Sequence, residues 1–210
     1  MISLSEILHT IAQALMIPCL IILIILMAGA VWQIGDIVVE YIAERRKHKC
    51  NVPQLLRDVH AAGADGLAEL IENSGLLRRQ KKALLELAES RGLPKDTLTA
   101  LAERLLATGE ARNARTTSIT DMIAKLGPMF GLLGTLIPLG PGIVALGQGD
   151  TVTLSESMNV AFDTTIAGVI SAAVASVISH IRKRWYNDDM VSLETLMEAV
   201  LEEVTSDVEG

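Results

Sequence analysis

No charged residue stands between Lys125 and Asp150. At ~1.5 Å per residue, a helix over residues 126–149 is long enough to cross a ~30 Å hydrocarbon core. After a short polar turn at residues 150–157 a second apolar stretch follows, residues 158–181, with one acid, Asp163, inside it and His180 near its far end. A membrane-crossing helical hairpin is therefore the feature to which every other segment must be fitted. An ionisable group in such a segment is costly, which makes Asp163 a functional candidate.

The hairpin is built from small residues. Gly127, Gly131, Gly134, Gly140 and Gly142 lie in its first arm. The second arm carries two stripes at four-residue spacing, Thr164, Gly168, Ala172, Ser176 and Ala167, Ser171, Ala175, Ser179. Residues so spaced share a helix face, and lipid supplies no hydrophobic force between helices, so small residues mark places where backbones approach. These residues can pack the hairpin against itself. Small residues on several faces of one helix also suit a ring of copies around an axis, and an oligomer is expected on that ground.

The run Gly131-Leu132-Leu133-Gly134-Thr135-Leu136, followed by Ala161-Phe162-Asp163-Thr164-Thr165-Ile166-Ala167-Gly168, resembles the signature pair of the MotA/TolQ/ExbB proton-channel family, and most the ExbB/TolQ branch. The resemblance implies a pentameric ring whose central pore is lined by these two helices. It also implies a partner resembling ExbD or TolR, with a single span whose Asp carries the proton. Thr135 and Thr165 match the family's two pore threonines, and Gly131, Gly134, Gly168 and Ala172 fall at helix-packing positions. Two positions depart from the pattern. Val160 stands where ExbB- and TolQ-like members usually have Glu, and Asp163, three residues on and adjacent on the helix face, is the candidate to replace that carboxylate. Pro138 stands where the family usually has Gly, and with Pro141 it predicts a kink or a broken outer half of the second span. For each threonine the competing role is a bond to the carbonyl one turn back. For Asp163 it is contact with water beyond a helix cap made by Thr153 or Ser155 with Glu156.

The cations set the topology. Of the 18 Lys and Arg, 15 lie in residues 44–125 and the other three are Arg182, Lys183 and Arg184. Short basic segments stay cytoplasmic, so residues 44–125 and 182–210 are expected inside, with the N-terminus and residues 150–157 outside. This gives an all-α inner-membrane protein with three spans. Residues 1–16 form an outer-surface amphipathic helix opened by a Ser3/Glu6 capping box, and residues 17–43 the first span, with Pro18 in its first turn. That span is rich in Ile, Leu and Met and suits a lipid-facing rim. A cleaved signal peptide ending at Ala28-Gly29-Ala30 is disfavoured by the missing basic n-region and by the cations Arg45, Arg46, Lys47 and Lys49. Trp32, Tyr41, Trp185 and Tyr186 are expected at the inner headgroup level. Cys19 and Cys50 fall in different compartments and cannot pair.

With half of its 210 residues hydrophobic and 20% charged, the chain must concentrate its charge in soluble segments. Residues 44–125 read as a helical cytoplasmic region. One helix starts at Asn51/Pro53, a second covers residues 65–73 and a third residues 76–91, ended by Gly92. A long helix then opens at Pro94 and runs, loosened at Gly109, into the second span. This segment carries 15 basic and 11 acidic residues, a net +4. After Arg184 come eight acids and no cation. The amphipathic, acidic helix at residues 182–210 is expected to pack on the basic segment through Leu193, Leu196, Met197, Val200, Leu201 and Val204. The basic run Arg78, Arg79, Lys81, Lys82 can attract anionic lipid or nucleic acid. Its interleaved acids, and the absence of aromatic residues over residues 43–124, favour a solvated face, so no nucleic-acid partner is expected.

No phosphate-cradling Gly-Lys-Ser/Thr loop, nucleophile triad or metal-ligand cluster can be drawn from the residues, so neither an enzyme nor a cofactor is expected. The ion-path candidates are Thr135, Asp163 and Thr165. The resemblance implies an ion-conducting motor subunit that couples an ion gradient to work on the cell envelope or transport. The alternative is a non-conducting oligomeric scaffold of the membrane.

Overall fold

A computed structural model describes residues 4–45 and 51–209. Among these, all regular structure is helical and no strand forms. The helices are α1 (Leu4–Ala14), α2 (Met16–Glu40), continued by a π-helical turn Tyr41–Arg45, α3 (Val52–Asn73), α4 (Arg78–Glu89), α5 (Lys95–Gly147) and α6 (Thr151–Glu209). Three rods are long and apolar enough to cross a membrane: Glu6–Ala43, α5 and α6. Cys50, His48, the cations at positions 46, 47 and 49, and the Ser3 half of the expected capping box lie outside the described residues.

Contacts divide the chain into two units. The first, Met1–Asp36 with Thr117–Ile181, brings together α2 and the apolar lengths of α5 and α6. The buried face of α2 is Cys19, Leu23, Leu26, Ala30 and Gln33. This spacing of four and three residues is the seam of two helices wound gently around each other. Its opposite face, with Ile24, Ile25, Val31 and Trp32, is exposed. Leu26 and Ala30 meet Ile123 of α5 and Ala175 of α6, and the Cys19 thiol reaches the Phe130 carbonyl at 3.4 Å. α1 is separated from α2 only by Leu15, across which backbone bonds continue (Leu15 to Ile11 at 3.1 Å, Cys19 to Leu15 at 3.0 Å).

The second unit, Ile37–Thr116 with Arg182–Gly210, has a core of Leu67, Ile71, Leu84, Leu87, Leu98 and, from α6, Leu196, Met197 and Val200. The acidic helix does pack on the basic segment, and His60 Nδ1 lies 2.7 Å from Glu203. Gly63, at φ +61°, bends α3 into two arms, which places the boundary between the first two expected helices. Gly92, at φ +100°, ends the α4 segment, and the Pro94 carbonyl accepts the first bonds of α5.

Two expectations are corrected. The outer half of α5 is not broken: the helix runs on through Pro128, Pro138 and Pro141 to Gly147. Proline removes one backbone donor, which a long apolar helix tolerates when its neighbours close around it. The polar turn is shorter than residues 150–157, because α6 starts at Thr151. The apolar segment and the acidic helix expected after it form one continuous rod, since between Thr151 and Glu209 only Gly168 is a poor helix former and no proline occurs. The turn itself closes with Gly149 at φ +75°. Asp150 N–H bonds Ala145 at 2.9 Å and Gly149 N–H bonds Leu146 at 3.1 Å, the paired bonds of a Schellman ending.

Asp150, rather than Thr153 or Ser155, caps α6. Its carboxylate accepts the Thr153 hydroxyl at 2.6 Å and the Val152 and Thr153 amides at 3.1 Å each. The Thr153 hydroxyl, then these amides, hold the carboxyl below its usual range. A depressed folded value gives support that is present above the unfolded value, about 4, and lost as pH falls through the folded one. Amide exchange at Val152 and Thr153 should accelerate at acidic pH in the native chain. In Asp150→Ala it should be fast at every pH; equal protection in the two would remove the cap.

Candidate functional site

The α5–α6 contact is held together by missing side chains. A Cβ on Gly127 would lie 2.7 Å from the Gly168 carbonyl oxygen, one on Gly134 2.6 Å from Thr164 Cβ, and one on Gly168 2.8 Å from Gly131 Cα. Such distances cannot be met by side-chain adjustment where the obstacle is backbone. Only glycine permits this separation, as expected where helices pack without hydrophobic drive. The small stripes are thus largely packed within the chain. Thr164, Gly168 and Ala172 are buried on this seam, and Ser171, Ala175 and Ser179 are buried as well. Ser176 is exposed and Ala167 half-buried, so part of each stripe is left outside the seam.

Thr135 and Thr165 flank the seam and are half-buried. Thr135 follows Gly134, and Thr165 Cα lies 3.7 Å from where a Gly131 Cβ would sit. Each hydroxyl donates to its own helix, Thr135 to Leu132 at 2.7 Å and Thr165 to Ala161 at 3.0 Å. Thr164 does the same, to Ala161 at 2.9 Å. A hydroxyl that donates its proton backward keeps oxygen lone pairs with which to accept a hydrogen bond from water or from a protonated carboxyl.

Asp163 belongs to another face. Two residues from Thr165 it is turned by ~200° around the helix, and it is exposed. It makes no hydrogen bond or ion pair with the described residues. One side of α6 therefore cannot present both Asp163 and Thr165.

Sequence reasoning missed a buried polar layer in the first unit. The Thr120 hydroxyl donates to the Gln33 side-chain carbonyl, and the Ser179 hydroxyl donates to Asp121. Gln33, Thr117, Thr120 and Ser179 are all buried. One signal was available: Gln33 is a polar side chain on the apolar seam of the first span. The pairings themselves arise only in the tertiary fold. In the second unit Arg182, 3% exposed, bonds Glu40 at 3.2 Å, and Tyr41 stacks on Trp185 with ring centroids 6.1 Å apart. Tyr186 is packed inward: it is 9% exposed and its hydroxyl is bonded to Glu40. No group of three or more His, Cys, Asp or Glu able to hold a metal occurs among the described residues.

The family model described as the MotA/TolQ/ExbB proton channel family matches residues 70–195. The chain belongs to this family. The match covers α4, α5 and most of α6, and so includes the glycine seam, both flanking threonines, Asp163 and the Asp121–Ser179 pair. With three helices apolar enough to span, family membership makes this a membrane protein of a proton-channel family, which is not an enzyme family. No individual curated protein matches the chain.

Proposed function

We propose that the chain is the ion-conducting ring subunit of an ExbB/TolQ-like motor in the inner membrane. Its N-terminus lies outside and the Arg182–Gly210 segment in the cytoplasm, in keeping with the distribution of its cations. Five copies surround the single Asp-bearing spans of a second membrane protein, and ion flow through the ring is coupled to work on the envelope or to transport. The observation that carries this is the glycine seam with Thr135 and Thr165 on its flank. The rigid backbone contact fixes two hydroxyl oxygens at one interface, ready to accept from a water file or from a partner's protonated carboxyl. Such fixed acceptors stabilise a moving positive charge without titrating themselves. Asp163, turned away from the seam, acts on the path only where the assembly brings another helix against its face.

The test is proton uptake into liposomes by the chain co-expressed with its neighbouring membrane gene, under an imposed potential. Losing one hydrogen-bond acceptor at the barrier costs about 1–1.5 kcal/mol, so Thr165→Val should slow flux about tenfold. Asp163→Asn reports separately on the second face. Undiminished flux after combined replacement of Thr135, Asp163 and Thr165 sinks the proposal. A well-assembled complex that never conducts returns the chain to the scaffold role.

A further inference from the structure

Within the second unit a cavity of about 280 Å³ lies among α4, α5 and α6. Its apolar wall includes Leu77, Leu105, Met190 and Leu193. Three cations edge it, Arg79 and Lys82 from α4 and Arg112 from α5, all exposed and none in an ion pair with the described residues. The basic run on α4 is solvent-accessible, as expected, but its members differ in what they face. Lys81 is turned away to the Glu72 carbonyl at 2.7 Å, while Arg79 and Lys82 are joined across the cavity by a cation from a different helix.

Acids also line it. Glu40, however, is matched by Arg182, which leaves Glu86 and Asp189 against three cations and a local excess of positive charge. The wall also includes Glu40 and Tyr186. Tyr186 lies five residues beyond Ile181, ~7 Å along the helix from the end of the third apolar segment. On the topology proposed above, this short chain separation keeps Tyr186, and the part of the wall that it forms, close to the headgroups. The cavity's volume is just below the ~300–1,000 Å³ range of ligand pockets, suited to a headgroup rather than a whole lipid.

We propose that this cavity holds the headgroup of an anionic phospholipid, with its phosphate on Arg79, Lys82 and Arg112 and its glycerol and first methylenes against the apolar wall. The mixed lining selects such a ligand: cations alone attract any anion, but the leucines and Met190 favour one that brings hydrocarbon with it. This site does not depend on whether the ring conducts.

The test is native mass spectrometry of the full chain from a neutral detergent, with phosphatidylglycerol or phosphatidylcholine added. The test variant is Arg79→Gln/Lys82→Gln/Arg112→Gln. The control, Arg78→Gln/Lys81→Gln/Arg104→Gln, removes the same charge outside the cavity. Each cation near an anionic lipid contributes about fivefold in affinity, so the test variant should retain phosphatidylglycerol roughly a hundredfold less well while the control retains it. Five of the six positions are exposed and Lys81 is half-buried, and unchanged helical content verifies that both variants fold. Equal loss in both variants means diffuse attraction and overturns the site, as does equal retention of the two lipids. Displacement of phosphatidylglycerol by soluble glycerol phosphate at equal concentration overturns the lipid assignment in favour of a free phosphate compound.

Discussion

Replacing Gly168 by Ala is expected to destabilise the hairpin by about 1–3 kcal/mol, the usual cost of forcing one methyl into a packed contact. The added Cβ would sit 2.5 Å from the Gly127 carbonyl oxygen and 2.8 Å from Gly131 Cα. Both obstacles are backbone, so the only relief is separation of α5 from α6, which forfeits dispersion contacts along the whole seam. Gly134→Ala meets the Thr164 side chain instead, at 2.6 Å from its Cβ. That side chain is β-branched and held to its own helix, so it yields little, and a cost of the same order is expected. Gly140 has nothing within 4 Å of its added Cβ. Gly140→Ala should therefore be neutral or gain up to about 1 kcal/mol of helix propensity. Unfolding in micelles compares the three, and equal midpoints for Gly168→Ala and Gly140→Ala would show that the seam is not closed as described. Since Thr135 and Thr165 flank this seam, Gly168→Ala should also lower ion flux by moving two hydroxyls without altering either.

Much of this arrangement was legible in the residues because its causes are local. Charge-free runs of sufficient length mark the spans, Gly92 and Pro94 mark the break between α4 and α5, and the 3.6-residue pattern from Leu193 to Val204 marks the face that packs. The site was legible only in part. The glycine-threonine motif located the hairpin contact, but spacing alone could not decide whether the small stripes serve one chain or several. Two residues of separation did predict opposite faces for Asp163 and Thr165, a constraint that grouping them on one path set aside. The pairs Gln33–Thr120, Asp121–Ser179 and Glu40–Arg182 join residues far apart in sequence. Each member alone reads as an ordinary polar residue near a membrane boundary, and only closure of the three helices gives it a partner.

The Glu40–Arg182 pair leads to the second large effect. Arg182→Leu should cost about 3–5 kcal/mol, because it leaves a carboxylate in a largely buried place without its counter-charge. The side chains are only 3% and 17% exposed, so water recovers little of the loss. Replacing both residues, Glu40→Leu/Arg182→Leu, should return most of that stability, since an apolar pair of similar volume often matches a buried ion pair. The difference between single and double variants measures the unpaired charge rather than the value of the bridge. Tyr186 gives an independent check. Burial, and then the neighbouring Glu40 carboxylate, push its hydroxyl up to about 12. A raised value means that its contribution to stability is complete below the unfolded value of about 10 and is lost as pH rises through the folded one. In a Tyr41→Phe background, which leaves Tyr186 as the single tyrosine, tyrosinate absorbance should therefore appear only near pH 12. Adding Glu40→Gln removes the carboxylate's share and keeps that of burial, so the transition should move down and remain above about 10. An unmoved transition would place the Tyr186 hydroxyl away from Glu40. A small cost for Arg182→Leu together with a lowered Tyr186 transition would show that the tyrosine, rather than the arginine, is the partner that holds the carboxylate.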